Sequence, residues 1–142
     1  MDRRAGPGKD SKQRLIYFVV NRRNGYIKIG YTVDLHQRMI AVRPEVSGAG
    51  ITVLGVMDGG KDIERGIHLM FANYRVGSTE WFEPVTPITD FVKNNCRPHD
   101  GKTYFPDTRI DYGKPTRPYD YHLRGYEVPI FDYKMVIKNC GL

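Results

Sequence analysis

The sequence has 142 residues, of which 40% are hydrophobic and 27% charged, and its net charge is +6. This length allows one domain with a substantial core and is too short for two full domains. The longest apolar run, Leu15 to Val20, is far too short to span a membrane, and the polar N-terminus lacks the apolar segment of a signal peptide. We therefore expect a cytoplasmic protein, of a bacterial or phage-infected cell, without membrane contact.

The positive charge is unevenly distributed along the chain. Residues 1–14 contain five Lys or Arg against two Asp, whereas residues 15–96 contain nine basic and eight acidic residues. Residues 97–142 contain eight basic and six acidic residues. A nearly neutral middle between basic ends is typical of an enzyme core with arms that bind nucleic acid, and DNA is the expected partner. Basic tails that only increase solubility would give the same distribution.

The first predicted elements form a β-hairpin. The run from Leu15 to Val20 is rich in β-forming residues, and Tyr26 to Tyr31 alternates between apolar and other side chains. Asn24 and Gly25 between them tolerate positive φ and suit a tight turn.

Helices and further extended segments follow the hairpin. A helix is predicted from Thr32 to Val42, and a third strand from Ile51 to Met57. A second helix begins near Asp62, which can cap it, and runs to about Asn73. A short extended segment, Glu80 to Phe82, precedes a third helix that begins at Thr86. This order predicts an α+β fold with a small central mixed or antiparallel sheet of about three strands, flanked by helices.

Residues 97–142 differ from the rest, because they contain six of the ten tyrosines and lack helical periodicity. We interpret residues 1–14 as a flexible basic arm, 15–96 as the domain, and 97–142 as a tyrosine-rich C-terminal extension. Strands are possible within the extension at Glu127–Ile130 and Lys134–Ile137. Its interleaved Tyr and Arg residues suit stacking on bases, and they suit packing against the core equally well.

Two cysteines, Cys96 and Cys140, are expected to be reduced thiols, because this is not a cysteine-dense secreted sequence. Together with His99 and His122 they offer a Cys₂His₂ set for Zn²⁺. The spacing of that set does not match a zinc finger.

Several short motifs lie on the predicted elements in a distinctive order. They are Leu15-Ile16-Tyr17, Lys28-Ile29-Gly30, Arg38, Glu64-x-x-x-His68-x-x-Phe71 and Glu80-Trp81-Phe82. In spacing and order they resemble the GIY-YIG nuclease superfamily, in particular its phage-type subgroup with K-I-G as the second triplet. The resemblance covers residues 15–94. It departs from the family pattern at Leu15, where the family has Gly, and at Lys28, where it has Tyr.

This resemblance implies an endonuclease that hydrolyses phosphodiester bonds in DNA with one Mg²⁺ or Mn²⁺ ion. Glu64 is a hard oxygen ligand suited to that ion. Arg38 offers a forked, permanently charged donor set that matches phosphate. Tyr17 is the candidate general base, assisted by the positive charge of Lys28, and His68 lies one helical turn after Glu64. Contacts to DNA outside this group are expected from Arg22, Arg23 and Arg75.

Each of these residues also has an ordinary structural interpretation. Tyr17 suits a core strand, Lys28 a solvated sheet face and Arg38 a helix surface. Glu64 suits the first turn of a helix through the helix dipole, and His68 a structural hydrogen bond. Two rival functions therefore stay open. One is a nucleic-acid-binding module that has lost cleavage, and the other is a protein-interaction factor that uses the tyrosine-rich extension.

Overall fold

A computed structural model describes residues 13–42, 46, 50–99, 103–104 and 130–142. The strands are β1 (Leu15–Asn21), β2 (Ile27–Thr32), β3 (Ile51–Asp58), β4 (Trp81–Phe82) and β5 (Thr103–Tyr104). The α-helices are α1 (Leu35–Val42), α2 (Lys61–Met70), α3 (Thr86–Asn95) and α4 (Tyr133–Asn139). A single 3₁₀ turn, Ala72–Tyr74, follows α2. The predicted α+β class is confirmed.

The strands form one antiparallel sheet in the order β4-β2-β1-β3-β5. The three long central strands are those expected from the sequence, and the two-residue strands β4 and β5 extend the sheet at its edges. β1 and β2 form the predicted hairpin, in which Tyr17 pairs with Gly30 and Val19 pairs with Lys28. Gly25 in the turn has a φ of 82°, which glycine adopts without strain.

The sheet has a buried layer on each face, since successive strand residues point to opposite sides. Tyr17, Val19 and Tyr26 belong to one layer, which α1 covers with Leu35 and Met39. The other layer contains Ile16, Phe18, Ile27 and Ile29, and it is covered by helices α2, α3 and α4. The helices thus lie on both faces, and α2 packs against β2.

Two helix starts differ in their capping. Asp34 precedes α1 and its carboxylate accepts a hydrogen bond from the Gln37 amide at 3.2 Å. By contrast, the predicted cap Asp62 lies within the first turn of α2, and the N-cap residue is Gly60, without a side-chain hydrogen bond. α2 also ends at Met70, before the predicted Asn73, because the chain continues into the 3₁₀ turn.

The C-terminal segment corrects one prediction. Lys134–Ile137, considered as a strand, lies in α4, where Asp132 caps the helix by accepting a hydrogen bond from the Lys134 amide at 2.9 Å. Tyr133, Val136, Ile137 and Cys140 have helical spacing, and they pack on the α2 face of the sheet. This short stripe was the sequence signal for the helix. The other candidate strand, Glu127–Ile130, lies outside the described residues except for Ile130.

Several contacts join the C-terminal segment to the hairpin. The Phe131 amide donates to the Asn24 carbonyl at 2.8 Å, and the Phe131 ring packs edge-on against Tyr26. The Arg22 guanidinium donates to the Tyr133 hydroxyl at 2.8 Å and lies over its ring. Residues beyond the predicted domain end at 96 therefore contribute to the folded core, whereas residues 1–12 of the arm lie outside the described part.

Both cysteines are free thiols, and burial raises the pKa of each to about 12. Among the described residues no group of three or more His, Cys, Asp or Glu could hold a metal ion. The possible zinc ligand His122 lies outside those residues. In the part of the chain that the structure describes, no helix is long and apolar enough to cross a membrane.

Candidate active site

The candidate site begins at the open edge of β2. Strand β4 pairs with only two residues of that edge, Ile27 and Lys28. At the next residue, Ile29, the amide donates to the Glu80 carbonyl at 3.1 Å, and the carbonyl accepts from Nε2 of His68 at 2.8 Å. Because a carbonyl oxygen only accepts hydrogen bonds, Nε2 of His68 carries a proton. Helix α2 and the segment before β4 are thus both fixed to one residue of β2.

Two carboxylates approach each other at this edge. Glu64 is partly buried on α2, one turn before His68. Burial raises the pKa of Glu64 above its ordinary value, and the nearby negative charge of Glu80 raises it further. The positive charges of His68, Lys61 and Lys28 act in the opposite direction. Glu64 therefore lies in a charged cluster, and the net effect of its surroundings opposes the ionised form of its carboxyl group.

An open cleft of about 260 Å³ surrounds this cluster. Its wall combines acidic and basic groups with one exposed apolar side chain. The lining residues are Lys61, Glu64, Arg65, His68, Leu69, Arg75 and Glu80. The Lys and Arg side chains can complement phosphate oxygens, and the carboxylate of Glu64 can bind a cation.

Lys28 lies behind the cleft. Its side chain is almost fully buried, and Nζ is 3.5 Å from Oε1 of Glu80 and 5.6 Å from the centre of the Trp81 ring. Lys28 thus connects to the cleft through Glu80, whose side chain is 45% exposed. Trp81 and Phe82, the two residues of β4, are buried.

Tyr17 has a different position from the one expected of a general base. It is only 1% exposed and belongs to the core layer beneath α1. Its ring and hydroxyl lie directly over Gly30, on the sheet face that also carries Lys28. Tyr17 is not among the residues that line the cleft.

The four predicted arginines fall into different surroundings. Arg75 lines the cleft, where Nε donates to the Thr79 carbonyl at 2.6 Å. Arg38 is exposed on α1, which covers the opposite sheet face from α2, and Arg23 is exposed in the hairpin turn. Arg22 is engaged by Tyr133 and fixes α4. The structure thus brings together Glu64, His68 and Arg75 in the cleft. Lys28 contacts the cleft residue Glu80 through an ion pair.

Three charged residues of the cleft were not among the predicted site residues: Lys61, Arg65 and Glu80. Lys61 lies three residues before Glu64, at helical spacing, and Arg65 directly follows Glu64. Glu80 belongs to the Glu80-Trp81-Phe82 motif. A charged residue directly before two buried aromatics on an edge strand was the signal that could have found it.

The carboxylate of Glu64 is a candidate chain ligand for one divalent ion in the cleft. Glu64 supplies a carboxylate whose ionised form is opposed by burial and by Glu80, and a bound cation would offset both effects. Mg²⁺ commonly binds through one or two carboxylates and completes its octahedron with water and phosphate oxygens. The residues of the cleft fit such an ion, with Glu64 as the ligand from the chain.

Comparison with known proteins corrects the family assignment. The T5orf172 domain model matches residues 14–96, which is more than half of the chain. No GIY-YIG model matches, so the predicted membership of that superfamily is wrong. Both defining triplets depart from that pattern, at Leu15 and Lys28, and triplets this short carry little information. No curated protein and no solved structure matches the chain. The chain belongs to the T5orf172 domain family, which indicates a phage-type, nucleic-acid-related domain.

Proposed function

We propose that this protein is a divalent-metal-dependent endonuclease that hydrolyses phosphodiester bonds in DNA at the cleft between α2 and the edge of β2. The observation that carries this proposal is the position of Glu64, in an open cleft whose other lining side chains include Lys61, Arg65 and Arg75. This arrangement has the charges that phosphodiester cleavage needs, which are a metal ligand and cations for the phosphate.

Glu64 would hold one Mg²⁺ or Mn²⁺ ion, which supplies Lewis-acid activation of the phosphate and of the attacking water when bound. Lys61, Arg65 and Arg75 neutralise the phosphate oxygens of the substrate strand. His68 is oriented by its hydrogen bond to the Ile29 carbonyl, so that one ring nitrogen is fixed on the sheet and the ring faces the cleft. A ring held in this way positions substrate or solvent without a loss of rotamer entropy.

The other predicted residues take altered roles in this proposal. Tyr17 becomes a positioning residue, because it packs on Gly30 next to the strand edge that bounds the cleft. Lys28 forms an ion pair with Glu80 at 3.5 Å and holds that carboxylate at the edge of the cleft. Arg38 and Arg23 are exposed and are assigned to the DNA backbone outside the cleft.

Incubation of supercoiled plasmid with the purified protein tests the proposal. Nicked or linear product is expected with Mg²⁺ or Mn²⁺ and not with EDTA. Glu64→Ala is expected to abolish the metal-dependent product while it retains the wild-type circular dichroism spectrum. Cleavage that persists in EDTA, or undiminished cleavage by the variant, would overturn the metal assignment.

A second candidate function is DNA binding without cleavage. It is favoured by the burial of Tyr17 and by the ion pair between Lys28 and Glu80, since two groups expected to take part in chemistry lie outside the cleft. A protein that shifts DNA in a gel yet leaves plasmid intact with either metal at several pH values would support this candidate. The protein-interaction alternative rests mainly on residues 105–129, which lie outside the described part of the chain.

A further inference from the structure

A second cavity, of about 490 Å³, lies beside the cleft at the first turn of α2. Its lining residues are Arg14, Tyr31, Gly60, Lys61, Asp62 and Ile63. Lys61 also lines the cleft, so the two cavities adjoin. We propose that this second cavity, the flanking pocket, binds an unpaired nucleotide of the DNA strand whose phosphate occupies the cleft. Only one part of this inference rests on the proposed function, namely that a phosphate of the same strand occupies the cleft.

The shape of the flanking pocket depends on Gly60. A Cβ at that position would lie 3.5 Å from Cδ of Arg14 and 4.0 Å from Cε1 of Tyr31. The arginine stem and the tyrosine ring therefore lie at van der Waals distance from the position that a side chain at Gly60 would take. Arg14 is held there by its backbone, because its carbonyl accepts a hydrogen bond from the Gly59 amide at 3.0 Å.

The chemistry of the pocket matches one nucleotide. Tyr31 is half-buried, so that its ring has a supported side and an accessible part on which a base can stack. Arg14 and Lys61 supply two positive charges for phosphate oxygens. Asp62 adds a carboxylate, which repels phosphate but accepts a hydrogen bond from an exocyclic amine of a base. A volume of about 490 Å³ falls within the range of small-ligand sites.

The nucleotide must be unpaired. Within a duplex both faces of a base are covered by its neighbours, and a tyrosine ring reaches a base face only where the base is single-stranded, at an end or splayed out. The flanking pocket therefore predicts a preference for single-stranded or flapped DNA over a blunt duplex of the same sequence.

Fluorescence anisotropy in EDTA tests this proposal without any cleavage. The probe is a labelled mixed-sequence single strand of about twelve nucleotides, within the site sizes typical of such binders. Tyr31→Leu keeps apolar volume and removes the aromatic face, so we expect affinity to fall about tenfold with an unchanged salt dependence. Tyr31→Phe is expected to bind like the wild type. Arg14→Ala is expected to reduce the slope of log K against log salt by roughly 0.7, the value for one lost phosphate contact on a single strand.

Lys138→Ala, an exposed change on α4, is the matched charge control and should alter the slope less than Arg14→Ala. Circular dichroism and thermal melting identify any variant that fails to fold. Wild-type affinity of folded Tyr31→Leu, or tighter binding of the blunt duplex than of the single strand, would overturn the flanking pocket. Because these measurements contain no metal, their result is separate from the plasmid assay of the proposed nuclease activity.

Discussion

Tyr17 fills the space that a side chain at Gly30, its partner on the neighbouring strand, would need. A Cβ at position 30 would lie 2.8 Å from Cε2 of the tyrosine ring and closer still to its Cζ and hydroxyl. Because Tyr17 is buried beneath α1, its ring has no open space into which it can move. Packing therefore requires glycine at position 30. The third residue of the Lys28-Ile29-Gly30 triplet is explained by its contact with the Tyr17 ring.

Gly30→Ala is expected to lower the free energy of unfolding by about 1–3 kcal/mol, the usual cost of overpacking a core. The matched control is Gly66→Ala on α2, where a Cβ would meet nothing within 4 Å. That change should raise the free energy of unfolding by up to about 1 kcal/mol, because alanine favours a helix over glycine. Urea denaturation measures both. Equal effects of the two substitutions would contradict the packing of Tyr17 on Gly30.

The contribution of α4 to the core predicts a second pair of stabilities. Val136 is 3% exposed and packs on the sheet, whereas Met135 beside it is 52% exposed. Val136→Ala should lower the free energy of unfolding by about 1–3 kcal/mol, and Met135→Ala by less than about 0.5 kcal/mol. If Val136→Ala is as mild as Met135→Ala in urea denaturation, the C-terminal helix does not belong to the cooperative fold.

The pH dependence of cleavage should reveal the effect of Glu80 on the pKa of Glu64. The pKa of Glu64 is raised, first by burial and then by the charge of Glu80. In the proposed function this carboxylate would bind the metal only when it is ionised. Glu80→Gln removes the second cause, so the pKa of Glu64 falls and the acidic limb of the profile of kcat/KM should move to lower pH. Asp90→Asn, an exposed change on α3, should leave the limb in place. A shift of the limb to higher pH in Glu80→Gln would contradict the proximity of the two carboxylates.

Much of the fold could be predicted because its residues carry local signals. Alternation and the Asn24-Gly25 pair indicated the hairpin, and the apolar spacing of Leu35, Met39 and Val42 indicated α1. α4 was missed because it has only seven residues, so its apolar stripe covers two turns and lies between segments without periodicity. The edge strand β4 lies within the extended segment predicted at Glu80 to Phe82, whereas β5 has two residues and is too short for any alternation to be recognised.

The candidate site could be predicted less completely. Glu64 and His68 were found because one helix fixes their spacing, and both line the cleft. The burial of Tyr17 agrees with its ordinary interpretation as a core-strand residue. Alternation tells which face a residue shares, and it does not tell that α1 covers that face. Arg22 was expected to contact nucleic acid, but its partner Tyr133 is far away in the sequence. The ion pair between Glu80 and Lys28 was likewise not predictable, because the two residues are far apart in the sequence and meet only in the folded chain.

The central claim is that Glu64 holds the metal on which cleavage depends. It is tested most directly by the initial rate of plasmid nicking by Glu64→Gln at saturating Mn²⁺, measured beside the wild type and Asp90→Asn. Loss of the carboxylate charge should lower the rate at least about a hundredfold, the size typical of losing one electrostatic contact to a transition state, with Asp90→Asn unchanged. A folded Glu64→Gln protein that nicks plasmid at the wild-type rate would contradict the account.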